Sequence, residues 1–228
     1  MVENKRSQPT LFTVRDTYSE TLELVPELWK AAERLTSPDD REREKGISEL
    51  ISQDVCHQSP LIAYLLATRL TDPNLEIRFH VLQILGDILR RRDGGHAAPD
   101  SVHRHLQGYV SQMRRRQIFA ILQVAEAYSA AEDDIAAILN MCSYAGVALS
   151  GILSDRKAPI PIRQKAIYFC GRVGFVDAVP ALERLISRLQ AQSEKQTHMD
   201  FVSPGENMLE SSLLIYARAA LEKLKKFI

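Results

Sequence analysis

The feature that most constrains the fold is a pattern of two apolar segments joined by a short acidic turn. The first segment ends at Leu70, Thr71-Asp72-Pro73 supplies the turn, and the second segment begins before Ile77-Arg78. Apolar residues in the second segment recur at steps of three and four: Ile77, Val81, Leu82, Leu85, Ile88 and Leu89. This spacing predicts a helix with one buried face, entered through a turn in which Asp72 is the capping carboxylate.

The same pattern occurs again later in the chain. Ile77-Arg78 aligns with Ile162-Arg163, and in that register Gly86 coincides with Gly171. The second copy also follows a hydroxyl residue and an aspartate, Ser154-Asp155. A glycine inside a helix costs about 1 kcal/mol relative to alanine, so Gly86 predicts close packing against a neighbouring helix. Repetition at this spacing is typical of stacked helix pairs.

These copies resemble the HEAT repeat, a helix pair whose second helix carries an apolar residue and an arginine after an aspartate-containing turn. The resemblance is clearest at 72–88 and 155–173, partial at 38–50, where Arg43 takes the arginine position, and loose at 213–224. It implies an all-α fold, a right-handed α-solenoid of about five HEAT-like helix pairs. It also implies a structural polar ladder between successive repeats: Asp72, Arg78, Asp155 and Arg163. The alternative for these arginines is a row that holds an anionic ligand on the concave face, but a partly buried charge needs a protein partner in either case.

The repeat pattern predicts one domain at 21–228, preceded by a tail at 1–20 that is either flexible or caps the array. Polar residues around Pro204-Gly205 predict a loop insertion near 190–207. Trp29 is expected in the core because of its large apolar area. The acidic run that starts at Glu132 predicts the beginning of one long apolar helix that extends through Ile152.

The composition limits the classes of function. Lys and Arg number 29 and Asp and Glu number 29, so the net charge is zero, which argues against a dedicated nucleic-acid binder. Cys56, Cys142 and Cys170 are widely separated, which favours buried reduced thiols over a disulfide framework. No apolar stretch reaches the roughly 18 residues of a membrane helix, and residues 1–10 lack the apolar core of a signal peptide. A cytoplasmic protein with no membrane partner is therefore expected.

Local charge is strongest between residues 90 and 116. Seven arginines lie in this basic stretch: Arg90, Arg91, Arg92, Arg104, Arg114, Arg115 and Arg116. Such a stretch can bind an acidic protein segment, a phosphate group or a nucleic-acid backbone, or it can be a set of solvated helix ends. Either Arg114 or Arg115 can occupy the arginine position of the repeat, so the register between 99 and 130 stays open.

No metal, cofactor or catalytic site is expected from the sequence. His96, His103 and His105 lie in the basic stretch, but residues two apart on a helix point about 200° apart. No cysteine lies near them, so the usual spacing of metal ligands is missing. The chain also lacks the Gly-x-Ser-x-Gly motif, the His-Glu-x-x-His motif and the glycine-rich phosphate-binding loop.

The sequence therefore predicts a non-catalytic protein-protein interaction scaffold or adaptor, whose partner is another protein with an acidic surface or segment. Stacked helix pairs create an extended curved surface, while their cores use most of the apolar residues. Two alternatives belong to other classes: a HEAT-like nucleic-acid-binding protein or alkylpurine DNA glycosylase, and a bilin lyase-like HEAT protein. The zero net charge and the single tryptophan disfavour the first, and no motif in the chain supports the second.

Overall fold

Helices account for the fold of this chain, which the computed structural model describes at residues 26–92, 95–96, 98–196 and 204–226. Side chains are described for these residues except at 27, 91–92, 95–96, 193–196 and 204–209. The α-helices are α1 (Pro26–Arg34), α2 (Asp40–Ser52), α3 (Pro60–Thr68), α4 (Leu75–Leu89), α5 (Asp100–Ser111), α6 (Arg115–Ala127), α7 (Glu132–Asn140), α8 (Ala145–Ser154), α9 (Ile160–Val173), α10 (Val179–Gln196) and α11 (Pro204–Leu224). Two short strands, β1 (Arg91–Arg92) and β2 (Gly95–His96), pair antiparallel after α4. The predicted all-α class is confirmed.

Five helices form a row in which each packs against the next, namely α2, α4, α6, α9 and α11. The other helices pack against members of this row: α1 on α2, α3 and α5 on α4, α7 on α4 and α9, α8 on α9, and α10 on α11. The predicted apolar face of α4 is confirmed, because all of its predicted members are buried: Ile77, Val81, Leu82, Leu85, Ile88 and Leu89. Among the described helices, none is long and apolar enough to cross a bilayer.

Helix α4 begins differently from the sequence prediction. Asn74 is its N-cap, because the Asn74 side-chain oxygen accepts the N–H groups of Glu76 at 2.8 Å and Ile77 at 3.4 Å. Asp72 is not the helix cap; it accepts the Asn74 N–H at 2.9 Å and turns its carboxylate toward α2. Asn caps a helix as well as Asp does. The turn therefore leaves the Asp72 carboxylate for a contact between helix pairs.

Helix α7 is a short segment that connects the two copies of the repeated pattern. It follows α6 after a 3₁₀ turn at Ser129–Ala131 and packs against both α4 and α9. The sequence prediction of one helix from Glu132 through Ile152 is wrong, because α7 ends at Asn140 and α8 begins at Ala145.

The residues between α7 and α8 explain this break. Cys142 directs its thiol to the Met113 carbonyl at 3.7 Å, at the end of α5, so the chain is held against another helix. Asn140, Ser143 and Tyr144 around it are weaker helix formers than Ala or Leu. Periodicity alone did not reveal the break because apolar residues continue at helical spacing on both sides of it.

Trp29 is another place where the sequence prediction is wrong, since 49% of its surface is exposed. The buried face of α1 is formed by Leu28, Ala31 and Ala32, and the buried Leu35 continues it just after the helix ends. Trp29 lies one position, or about 100°, away from Leu28 on the helix. The position of Trp29 on the helix, rather than its large apolar area, therefore determines that it is exposed.

The predicted loop insertion at 190–207 is narrower in the structure. Helix α10 continues to Gln196 and α11 begins at Pro204, so the connection between these helices is 197–203, which lies outside the described residues. Gln, Glu, Lys and Ala residues after 189 are good helix formers despite their polarity. Proline is also favoured at the first position of a helix. The predicted tail at 1–20 lies outside the described residues.

Glycines mark the closest approaches of α4 and α9 to their neighbours. A Cβ built on Gly86 would lie 2.6 Å from both Cγ and Oδ1 of Asp134 on α7. A Cβ built on Gly171 would lie 2.9 Å from Cα of Ala220 on α11. The close packing that the sequence predicted at Gly86 is confirmed, and the aligned Gly171 has the same role against a different helix.

The three cysteines are buried and unpaired as thiols, as the sequence predicted. Burial raises the pKa of Cys56 and of Cys170 to about 12, and it also raises the pKa of Cys142. A thiol with a raised pKa stays protonated at neutral pH and is a poor nucleophile. These side chains therefore act as small apolar core residues.

Candidate functional site

Buried arginines connect successive helix pairs. Arg43 on α2 forms a two-point ion pair with Asp72, from Nε to Oδ2 at 2.9 Å and from Nη2 to Oδ1 at 3.0 Å. Only 7% of the Arg43 side chain and 1% of the Asp72 side chain are exposed. Because both charges are buried, removing either would leave the other uncompensated. This pair fixes α2 against the turn that precedes α4.

The equivalent arginines of α4 and α9 also contact the following part of the chain. Arg78 donates to Oε1 of Gln123 on α6 at 2.8 Å, and Arg163 donates to Oε1 of Glu210 on α11 at 2.9 Å. Burial lowers the pKa of Arg78, and the nearby Asp72 carboxylate opposes that shift. The hydrogen bonds of these arginines thus run between consecutive helices of the row.

Asp155 takes part in a similar contact. Its carboxylate pairs with Arg115, the first residue of α6. The repeat arginines of α2, α4 and α9 are each the fourth residue of their helix, where α6 has Ile118, so neither Arg114 nor Arg115 holds the arginine position that the sequence left open. The backbone N–H of Lys157 and the Arg115 guanidinium lower the pKa of Asp155. All four residues of the predicted ladder therefore have protein partners.

The basic stretch is divided between two ends of the helix row. Arg90 follows the last residue of α4 and pairs with Asp134 of α7. Arg114, Arg115 and Arg116 lie at the start of α6, and the middle of α6 contacts Arg78 in the first turn of α4. The 15 residues of α4 span about 22 Å, so the two groups do not form one patch.

The other polar residues of the basic stretch are spread over different environments. The side chains of Arg91, Arg92 and His96 lie outside the described residues. Arg104 is exposed and its Nε donates to the Asp100 carbonyl on its own helix at 3.2 Å. His103 is buried, whereas His105 is exposed. Within the described residues, no group of three or more His, Cys, Asp or Glu side chains could hold a metal ion.

An exposed stack of arginine and tyrosine lies at the start of α6. The guanidinium of Arg114 lies 3.6 Å from the centre of the Tyr144 ring, which precedes α8. The exposed fractions are 46% for Tyr144 and 65% for Val147, one turn further along. An arginine held flat against an aromatic ring retains donors for a partner while losing little side-chain entropy on binding.

A groove of about 390 Å³ adjoins this stack, between α3, α5 and the start of α6. Tyr64 and Tyr109 meet edge to face across it, with ring centres 5.5 Å apart. Gln117 lines the groove and its Oε1 accepts the Arg114 N–H at 3.1 Å, which connects the groove to the stack. No carboxylate is among the residues that line the groove. We refer to Tyr64, Tyr109, Gln117, Arg114, Tyr144 and Val147 together as the aromatic surface.

Sequence reasoning identified Arg114 but missed the tyrosines of the aromatic surface. A signal existed for Tyr64, because it lies two positions from both Ile62 and Leu66, which are buried. Two positions correspond to about 200° on a helix, so Tyr64 had to point away from the core. Tyr144 had no such signal, because its contact with Arg114 joins residues 30 positions apart.

Comparisons of the chain with protein-family models, with curated proteins and with solved structures found no match.

Proposed function

We propose that this protein is a non-catalytic scaffold or adaptor of HEAT-like helix pairs, whose aromatic surface binds an acidic segment of another protein. The observation that carries the proposal is the exposed stack of Arg114 on Tyr144 beside the Tyr64–Tyr109 groove. The HEAT-like part is supported by the arginine contacts of α2, α4 and α9, each of which reaches the following part of the chain.

The chemistry of the aromatic surface favours a protein partner. Tyrosine and arginine are enriched among the residues that contribute most to protein-protein binding, because they offer a large rigid contact area with polar ends. Tyr64 is 47% exposed and Tyr144 is 46% exposed, although nearby helices bury many smaller apolar side chains. The groove beside Tyr64 gives a partner side chain a concave place to enter.

The charge of the aromatic surface favours an acidic partner. Its groove is lined without a carboxylate, and Arg114 lies at its edge. The next residues, Arg115 and Arg116, are exposed, and Arg116 has no ion pair within the described part of the chain. Complementary charge of this kind mainly accelerates association and selects the partner.

The proposal is tested by selecting displayed peptides on the folded full chain and measuring the affinity of the best binders. We expect selected peptides to be rich in Asp and Glu around an apolar or aromatic side chain. Tyr144→Ala and Tyr64→Ala are expected to weaken binding by about tenfold or more, because each removes a large exposed contact residue.

Tyr216→Ala is the matched control, because Tyr216 on α11 is 47% exposed and lies outside the aromatic surface. This variant is expected to bind the peptides as the wild type does. Binding is also expected to weaken at high salt, since exposed charges are screened. Selection of basic peptides, or equal losses in Tyr144→Ala and Tyr216→Ala, would contradict the proposal.

A further inference from the structure

A second cleft, of about 430 Å³, lies between α8 and α10. Its polar lining consists of Ser150 and Ser154 from α8 and of Arg184 and Arg188 from α10. The two arginines are four positions apart, so they lie on one face of α10. None of the residues that line the cleft carries a carboxylate. The cleft is therefore cationic.

Gly151 leaves open space in the wall of this cleft. A Cβ built on Gly151 would meet only Nη1 of Arg115 within 4 Å, at 3.4 Å. Gly151 is thus unlike Gly86 and Gly171, where a neighbouring helix fills the same space. A ligand can approach the helix backbone here, with the Arg115 guanidinium nearby.

The charges next to the cleft are unbalanced. Oε1 of Glu210 accepts hydrogen bonds from both Arg163, at 2.9 Å, and Arg188, at 2.8 Å, so one carboxylate serves two guanidinium groups. Burial lowers the pKa of Arg188; Glu210 opposes this shift, and the positive charges of Arg156 and Arg163 add to it. An additional anion at this point would relieve the repulsion among the three arginines.

The two arginines that share Glu210 each have a buried donor without an acceptor in the described part of the chain. Within the described residues, Nη2 of Arg163 and Nε of Arg188 make no hydrogen bond although both atoms are buried. Arg163 is only 2% exposed, and its Nε donates at 3.0 Å to the carbonyl of Leu153, the residue before Ser154. Buried donors without acceptors are costly, so an acceptor that reaches them would stabilise the fold.

We propose that the cleft between α8 and α10 binds a small anion that carries a phosphate group. Arg184 and Arg188 contact the phosphate oxygens, and the Ser154 hydroxyl donates to them. Guanidinium groups bind phosphate through paired hydrogen bonds, and several oxygens on one group suit several donors. The volume of the cleft is within the range of small-ligand sites.

The test is titration calorimetry of the full chain at constant ionic strength, with inorganic phosphate and glycerol 3-phosphate as soluble probes. Vesicles of phosphatidylcholine, with and without phosphatidic acid, test a lipid phosphate. Arg184→Gln removes an exposed guanidinium from the cleft, and Gly151→Val fills the open wall. Arg41→Gln is the control, because Arg41 is an exposed arginine on α2, far along the row.

We expect saturable binding of one phosphate group per chain, weakened about tenfold or more by Arg184→Gln and by Gly151→Val. Arg41→Gln is expected to change the affinity by about twofold at most, because screening weakens the effect of a distant exposed charge. Binding of a soluble probe supports a free phosphate ester, whereas binding only to vesicles with phosphatidic acid supports a lipid headgroup. The proposal is wrong if wild type binds none of these probes, or if Arg184→Gln and Gly151→Val bind as tightly as wild type.

Discussion

Helices α4 and α9 are two copies of one pattern that meet different neighbours. Arg78 of α4 contacts the neutral side chain of Gln123, whereas the aligned Arg163 of α9 contacts the carboxylate of Glu210. The aligned glycines also differ, since Gly86 faces the Asp134 side chain and Gly171 faces the backbone of Ala220. The arginine and the glycine therefore make contacts at the same position in both copies, but the residues that they contact differ in charge and size.

The largest expected difference between the copies is in the partner of the arginine. Arg163 is 2% exposed, so Glu210→Ala leaves a buried guanidinium without its carboxylate and is expected to destabilise the fold by about 3 kcal/mol. Gln123→Ala removes a neutral acceptor from Arg78 and is expected to cost about 1 kcal/mol. Urea unfolding followed by circular dichroism measures both free energies.

Glu222→Ala is the control for this comparison, because Glu222 is exposed on the same helix as Glu210. The measurements need a phosphate-free buffer, since the proposed anion would replace part of the lost negative charge. If Glu210→Ala costs no more than Gln123→Ala, then the charge of the partner does not distinguish the two copies.

These two copies also show what the sequence can predict. The apolar faces of α4 and α9 and the packing role of Gly86 follow from spacing within one helix, which a single sequence contains. The break between α7 and α8 does not follow, because it depends on a contact of Cys142 with Met113, 29 positions earlier. Local periodicity carries no information about such a contact.

The two candidate sites illustrate the same limit. Arg184 and Arg188 could be recognised as neighbours on one helix face from their spacing alone. Their position opposite Ser150 and Gly151 could not, because it depends on how α8 packs against α10. The contact of Arg114 with Tyr144 likewise joins distant parts of the chain. Sequence patterns thus predicted helix faces, whereas the sites arise between helices.

A smaller difference is expected at the two glycines. Gly86→Ala forces a Cβ against Cβ of Asp134 and against its Cγ and Oδ1, both 2.6 Å away, and disturbs the pairing of Asp134 with Arg90. Overpacking of this kind costs more than the roughly 1 kcal/mol gained in helix propensity, so we expect a net loss of about 2 kcal/mol. Gly171→Ala meets Ala220 at 2.9 Å and is expected to cost about 1 kcal/mol net.

Urea unfolding of each glycine variant measures these losses. Gly86→Ala is also made in the Asp134→Gly background, where Cβ, Cγ and Oδ1 of residue 134 are all absent, so its cost should fall there. The cost of Gly171→Ala should be unchanged in that background, because Asp134 lies against the other copy. A larger cost for Gly171→Ala than for Gly86→Ala would show that backbone contacts, rather than this overlap, limit the packing.

The smallest expected difference is a pH effect in α7, which contacts both copies with acidic residues. Glu132 faces α9, where it accepts from Lys165 Nζ at 2.6 Å and from the Tyr168 hydroxyl at 2.8 Å. Burial by itself would raise the pKa of Glu132, but these hydrogen bonds outweigh it and lower the pKa. Asp134 faces α4, and burial raises its pKa although Arg90 opposes the shift.

These opposite shifts have opposite consequences for stability. A lowered pKa means that the folded state holds fewer protons, so the contribution of Glu132 is present above the ordinary carboxyl pKa and is lost as the pH falls. A raised pKa means that the folded state holds more protons, so Asp134 makes the fold less stable as the pH rises through that range. Glu132→Gln should therefore reduce the loss of stability in acid, and Asp134→Asn should increase it.

The changes in the free energy of unfolding are expected to be about 1 kcal/mol or less, measured by urea unfolding between about pH 3 and pH 6. If both variants changed the loss of stability in acid in the same direction, the opposite roles assigned to Glu132 and Asp134 would be wrong.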